Sequence, residues 1–185
     1  MPNVYDEFAH ISVKFTNDFD EHAVYNIVTS GGVKVGRKNV NFVNTRLIAP
    51  HDLNSKGTLF GGRLLEWFDS DASAFSHDCV TNAKGLVTAS IFGFNFIKPI
   101  LLGERLRGRM EFVHKGAATI TIKGIYEAER GDKWVRCADG YAVLCNTQNG
   151  FAAPLPELKI SVNQDTPDWQ IVENYKKLTK LKKKE

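Results

Sequence analysis

A single long amphipathic segment followed by four strand-like ones on short links leaves this chain few ways to fold. From Phe60 to Cys79 the apolar residues Leu64, Leu65, Phe68, Ala72, Phe75 and Cys79 fall within an arc of ~100° on a helical projection. The segments "LVTASIFGFNFI", "RLRGRMEFVH", "TITIKGIYEAE" and "WVRCADGYAVLCNT" follow, separated by "KPILLGE", "KGAA" and "RGDK". Turn signals recur about every 12 residues, and Thr119-Ile120-Thr121-Ile122 alternates with the period of a strand. Links this short favour antiparallel pairing. Ahead of the helix, "FVNTRLIAP" reads as one more strand closed by Pro50, and "HDLNSKGT" as a loop. The order predicts an α+β fold with one helix inside the curl of a single antiparallel sheet. Such a sheet leaves an edge and a flank open, which a second copy would cover.

At 185 residues the chain fits one domain with a sizeable core. Its net charge of +3 belongs to the end of the chain, because "KKLTKLKKKE" alone holds six lysines and one glutamate. A terminal lysine run reads as a solvated helix end, so neither nucleic acid nor a membrane is expected as a partner. Cys79, Cys137 and Cys145 show no metal-ligand spacing, which fits reduced thiols and a cytoplasmic location. The start, "MPNVYDEFAH", lacks the apolar core of a signal peptide. The greasiest stretch, Leu86 to Ile97, is interrupted by Thr88, Ser90 and Asn95 and falls short of a membrane span. Residues 1–40 read as an extension, with two short strands expected around Gly31-Gly32. The main domain is expected over 41–158 and a C-terminal segment over 159–185. In that segment "PDWQIVENYKKLTKLKKK" is expected to start a helix on Asp165 or Thr166, with Pro167 at the first helical position.

Two carboxylates border the helix stripe. Asp69 lies about 40° past one edge beside Leu65, and Asp71 about 20° past the other beside Leu64. Either could be a solvated flank residue, or a base whose pKa a packed neighbour raises. Periodicity does not choose between them. Gly61-Gly62 at the helix start is costly for a helix and points to a close approach to the backbone. That approach could be plain helix–sheet packing, or an oxyanion held by amide N–H groups at the positive helix end. Asn54 could hold a water or cap a turn.

The spacing Asn54–x2–Gly57–x2–Phe60-Gly61-Gly62–x6–Asp69 resembles the hot-dog-fold acyl-CoA thioesterases, in particular the bacterial short- and medium-chain type and its cytosolic animal relatives. Val87-Thr88, Gly93, Phe96, Pro99 and Gly103 extend the match, as do "VHKGAATITI" and "ADGYAVLCNTQNGFAAPLP", over about residues 42–158. The resemblance implies a long helix wrapped by a five-stranded sheet, and a homodimer with a continuous sheet and an active site at its interface. Dimers would assemble further into a hexamer, a trimer of dimers. It also implies that Asp69 of one subunit is the general base or nucleophile and that Asn54 of the other holds the water or substrate. Amides around Gly61 and Gly62 would form the oxyanion hole. Lys98, Lys115, Gly116, Ala117 and Thr119 would bind the coenzyme A part of the substrate, with no separate cofactor and no metal. Five positions depart from the family pattern: Asp71 and Ser73 stand where relatives often keep small residues, Phe92 replaces an acid, and Ala117-Ala118 replace hydroxyl residues.

The rival readings are weaker. A non-catalytic acyl-CoA sensor would have no need of both Asn54 and Asp69. Dehydration chemistry on the same fold would need a catalytic histidine in its own motif, and His10, His22, His51, His77 and His114 offer none. "GGVKVGRK" lacks the ending of a nucleotide-binding loop, and neither a serine-hydrolase nor a zinc-hydrolase motif is present.

Overall fold

The structure, a computed structural model, describes residues 42–160 and 166–182. The strands expected around Gly31-Gly32, and the whole 1–40 extension, lie outside the described residues. The chain runs β1 (Phe42–Leu47), α1 (Gly61–Cys79), β2 (Leu86–Phe96), β3 (Arg105–Lys115), β4 (Thr119–Arg130), β5 (Lys133–Gln148), β6 (Phe151–Ala152) and α2 (Pro167–Lys182). All pairings are antiparallel, in the order β1-β3-β4-β5-β2. The expected five strands are present, and a sixth was not anticipated. Asn149 (φ 53°) and Gly150 (φ 82°) form a left-handed two-residue turn, so the chain folds back and β6 pairs with the end of β5.

The helix stripe packs where the periodicity put it. Leu64, Phe68, Ala72, Phe75 and Cys79 are buried against the sheet, and only Leu65 is left half-exposed. Each large apolar side chain among them contributes about 1.5–3 kcal/mol by leaving water. Opposite them, Ile120, Ile122, Tyr126 and Ala128 line β4, and Ala138, Ala142 and Leu144 line β5. Phe68 meets the ring of Phe94 on β2 at 5.1 Å and that of Tyr126 on β4 at 6.4 Å, which ties the helix across the sheet. Register shifts at Thr88/Ser90 and Phe92/Asn95 bend β2 around this core.

The alternate residues face outward, and α2 lies over them. Thr166 caps this helix with its hydroxyl on the amide of Trp169 at 3.1 Å, and Pro167 opens it. Val172 is fully buried against the outer face, and Tyr175 stacks on Phe92 at 3.8 Å, while Phe92 also stacks on Tyr141. Asp168 accepts hydrogen bonds from Lys123 and Tyr141, and Glu173 pairs with His114 at 2.6 Å. Phe92 therefore has a structural reason to be apolar: it is the floor on which α2 sits. β2 and β1 remain the two edges of the main sheet.

Candidate active site

The loop before α1 builds one wall of a cavity. Asn54 organises this loop: its Oδ1 accepts from the Lys56 amide (2.8 Å), its Nδ2 donates to the Thr58 hydroxyl (2.9 Å), and its carbonyl accepts from Gly57. Gly57 takes φ 76°, which a side chain would strain. Leu59 then donates to the Ile100 carbonyl, stitching the loop to the segment after β2. The opposite wall is held by the Cys137 carbonyl, which accepts from the amides of Ile97 and Lys98. Between these walls lies a cavity of about 330 Å³ that Asn54, Gly61, Phe96, Lys98, Pro99 and Cys137 help to line.

The N-terminus of α1 opens into this space. Phe60 is the cap residue and makes no side-chain capping bond, and the amides of Gly61 and Gly62 have no hydrogen-bond partner among the described residues. The helix dipole adds positive potential at that end. Both glycines also serve packing. A Cβ at Gly61 would press on the Phe96 ring at 3.2 Å, and one at Gly62 would run into the Phe60 ring. Asp52, buried just upstream, anchors the helix entry through its carbonyl to the Phe60 amide and its carboxylate to Arg63 at 3.5 Å. Gly62 itself is exposed beside the cavity rather than in its wall.

The two aspartates separate completely. Asp71 is buried, and the expectation that it might be a solvated flank residue fails. Arg46 of β1 grips its carboxylate with two bonds (2.7 and 2.9 Å), and Asn44 and the Tyr126 hydroxyl donate to it as well. Burial and the neighbouring carboxylate push the Tyr126 hydroxyl far above its ordinary range, so it stays a donor. Asp69 is exposed and makes no hydrogen bond or ion pair among the described residues. It sits about 200° around the helix from Asp71, on the flank away from β1 and toward the open β2 edge.

Of the expected site residues, the fold brings Asn54, Gly61 and Lys98 to one cavity. Asp69 stands eight residues along α1 from Gly61, about 12 Å up the axis, and is not in the cavity wall. Lys115, Gly116, Ala117 and Thr119 form the β3–β4 turn at the far end of the sheet. Thr119 pairs with Cys145, eight residues and about 26 Å along β5 from Cys137. Sequence reasoning missed Thr58, Phe96 and Cys137 as cavity residues. In the sequence Phe96 stands out only as a family match, and the register shifts in β2 hide which face it takes. Burial raises the Cys137 thiol, so it contributes a neutral wall rather than a nucleophile.

Comparison with known proteins gives this arrangement relatives. A profile described as Thioesterase superfamily matches residues 56–134, from the glycine loop through β4. The chain is thus similar to the thioesterase superfamily over residues 56–134. The acyl-CoA thioester hydrolase YkhA of Bacillus subtilis, itself described as uncharacterized, is 28% identical over 127 residues, covering 65% of this chain and 71% of that protein. Among solved structures, an acyl-CoA hydrolase of Staphylococcus aureus with butyryl coenzyme A superposes with a TM-score of 0.65 at 23% identity, covering 78% of this chain and 91% of its own. A hexameric thioesterase of Yersinia pestis gives 0.58 at 22% identity, covering 66% and 100%. These neighbours show the hot-dog fold, with its long helix inside a curled antiparallel sheet.

Proposed function

We propose that this thioesterase hydrolyses acyl-CoA thioesters to a free acid and coenzyme A, at a site completed by two copies of the chain. The observation that carries the reading is the junction of Asn54, Gly61 and Lys98 at one cavity, with the amides of the α1 N-terminus, which have no partner among the described residues, at its edge. In this reading those amides donate to the oxygen of a thioester carbonyl as it becomes negative. Thiolate is a good leaving group, so the remaining need is a base for water or a carboxylate nucleophile. Asp69 takes that role. Its distance along α1 from its own Gly61, and its outlook toward the β2 edge, favour delivery to the cavity of a second copy. Antiparallel pairing of two β2 edges sets the Val87 end of one copy beside the Phe96 end of the other. The turn at 115–119 then comes to the side of the neighbour's cavity, where its lysine suits the phosphates of coenzyme A.

A likeness in spacing supports the pair. The Staphylococcus aureus hydrolase has been solved with an asparagine and with an aspartate fifteen positions later each replaced by alanine. Asn54 and Asp69 are also fifteen positions apart. Association beyond the dimer, to a hexamer like those of several neighbours, belongs to the same proposal, as does a cytoplasmic setting.

Thiol release from a series of acyl-CoAs tests the reading directly. Wild-type protein turns over at least one chain length, Asp69→Asn loses about 10²–10⁴ in rate, and Asn54→Ala loses less. A protein that binds acyl-CoA but releases no thiol at any chain length would be a sensor instead.

A further inference from the structure

The cavity beside the α1 tip has a polar rim and an apolar floor. Asn54 and Thr58 stand half-buried at the rim, and Lys98 stands there exposed. Leu59, Leu64, Ile100 and Cys137 line the same cavity at no more than 8% exposure, so they close it from below. Leu64 lies one helical turn past Gly61 on the same face, and its side chain leans back toward the helix tip. Leu59 and Ile100 are joined by the Leu59 amide, which donates to the Ile100 carbonyl at 2.8 Å. Among the described residues that line the cavity, only Lys98 is charged. The floor therefore suits an uncharged hydrocarbon group.

Cys137 reaches this floor through an irregularity in β5. Against β4, Tyr126 pairs with Ala138 and Glu127 with Arg136, which leaves Cys137 as an extra residue. In a regular strand Cys137 and Ala138 would face opposite sides of the sheet. Here both are buried in the core on the helix side. The thiol donates to the Val135 carbonyl at 3.2 Å, and the Cys137 carbonyl accepts from the amides of Ile97 and Lys98 at the rim. The bulge thus turns a small side chain to the cavity and ties the rim above it.

We infer that this floor measures the acyl chain. With the thioester carbonyl at the α1 amides, the chain runs down onto Leu59, Leu64 and Ile100, and Cys137 sets how long a chain fits. This rests on the acyl-CoA reading and deepens it, by assigning chain-length selectivity to a bulge in β5. All four floor residues belong to one chain, so the length limit is built into each protomer even though hydrolysis takes two. A cavity of about 330 Å³ is at the small end for ligand pockets, and the chains it admits are short.

The test uses the full chain as wild type, Cys137→Ala, Ile100→Val and Cys137→Met. Hydrolysis is measured over straight-chain acyl-CoAs from acetyl to decanoyl. Binding is measured by calorimetry over the matching S-alkyl-CoA thioethers, which cannot be hydrolysed. In wild type, affinity rises with length to a best chain and falls beyond it. Each methylene held in an apolar site is worth about fourfold. Cys137→Ala and Ile100→Val each remove one heavy atom from the floor. Each should therefore raise affinity for the thioether two carbons past the best chain by about fourfold, relative to the best chain itself. Cys137→Met adds two heavy atoms and should move the best chain down by two carbons. The kcat/KM profile over the acyl-CoAs follows the same shifts. Urea midpoints show which variants are folded, and if Cys137→Met is not, the two smaller side chains carry the test. A length profile that stays put in folded Cys137→Ala and Ile100→Val overturns the inference. So does an equal change at every length, free CoA included, which would put the pantetheine arm in the cavity instead. Length preferences that shift as expected in a protein that hydrolyses no acyl-CoA would keep the floor's role and remove the hydrolase.

Discussion

At the scale of single residues, the pair Asp69 and Asp71 separates chemistry from architecture. The two carboxylates are two positions apart and mirror each other about the helix stripe, so no local rule distinguishes them. Arg46 and Tyr126 do, from 25 and 55 residues away. Removing the charge at Asp71 leaves the Arg46 guanidinium without its buried partner, and breaking such a pair costs at least about 3 kcal/mol. Asp71→Asn is therefore expected to lower the urea midpoint markedly. Asp69→Asn, at an exposed position with no described partner, is expected to leave that midpoint in place while turnover falls. Equal losses of stability in the two variants would contradict this division. Asn54 shows a different limit of sequence reading. Both readings of it were open, and the structure displays the turn-holding one in its hydrogen bonds while also placing it in the cavity wall.

At the scale of elements, the helices answer to different clues. α1 was legible because its apolar stripe, its glycine start and its length agree with one another. α2 was legible as a helix from Thr166 and Pro167, but its docking site was not. The sign was Phe92, which looked like a loss of family character and is the platform for Tyr175. Phe92→Glu is expected to release α2, read as faster proteolysis within residues 167–182 and exposure of the Trp169 fluorophore. The helix should also loosen in acid. Burial holds the His114 imidazole below its ordinary 6.5, with Lys176 adding to the depression and Glu173 opposing it. Trp169 and Thr121 complete its surroundings without bearing charge. A histidine with a depressed folded pKa contributes stability that is present above 6.5 and lost as pH falls through the folded value. Glu173, lowered by its bond to His114, acts in the same direction further into acid. His114→Gln should flatten the dependence of α2 docking on pH between about 7 and 5, followed by Trp169 fluorescence.

At the scale of the whole molecule, the open features gather on one side. The β2 edge, the Asp69 flank, Leu65 and the exposed rings of Phe60 and Phe96 at the cavity mouth are what a second copy would cover. α2 meanwhile occupies the outer face of the sheet. A copy with Asp69→Ala and a copy with Asn54→Ala should each turn over more slowly than wild type alone, the Asp69 variant most, and the mixture refolded together should exceed both, because one of the two shared sites is then intact. No recovery in the mixture, with heterodimers present by native mass spectrometry, would place both residues in a single chain's site. Disruption of the edge with Ala89→Pro is expected to yield monomers by sedimentation and to abolish turnover.

The sequence by itself determined the two helices, the five long strands, their order and their antiparallel pairing, though not β6, since periodicity, turn residues and short links are local properties carried by consecutive residues. It also held the glycine start of α1 and the spacing that pointed to the family. Only the tertiary structure decided which aspartate is buried, which face of the sheet α2 covers, and which of the expected residues share a cavity. Each of those outcomes depends on partners brought together from distant positions, and a linear pattern carries no record of a contact between Asp71 and Arg46 or between Glu173 and His114.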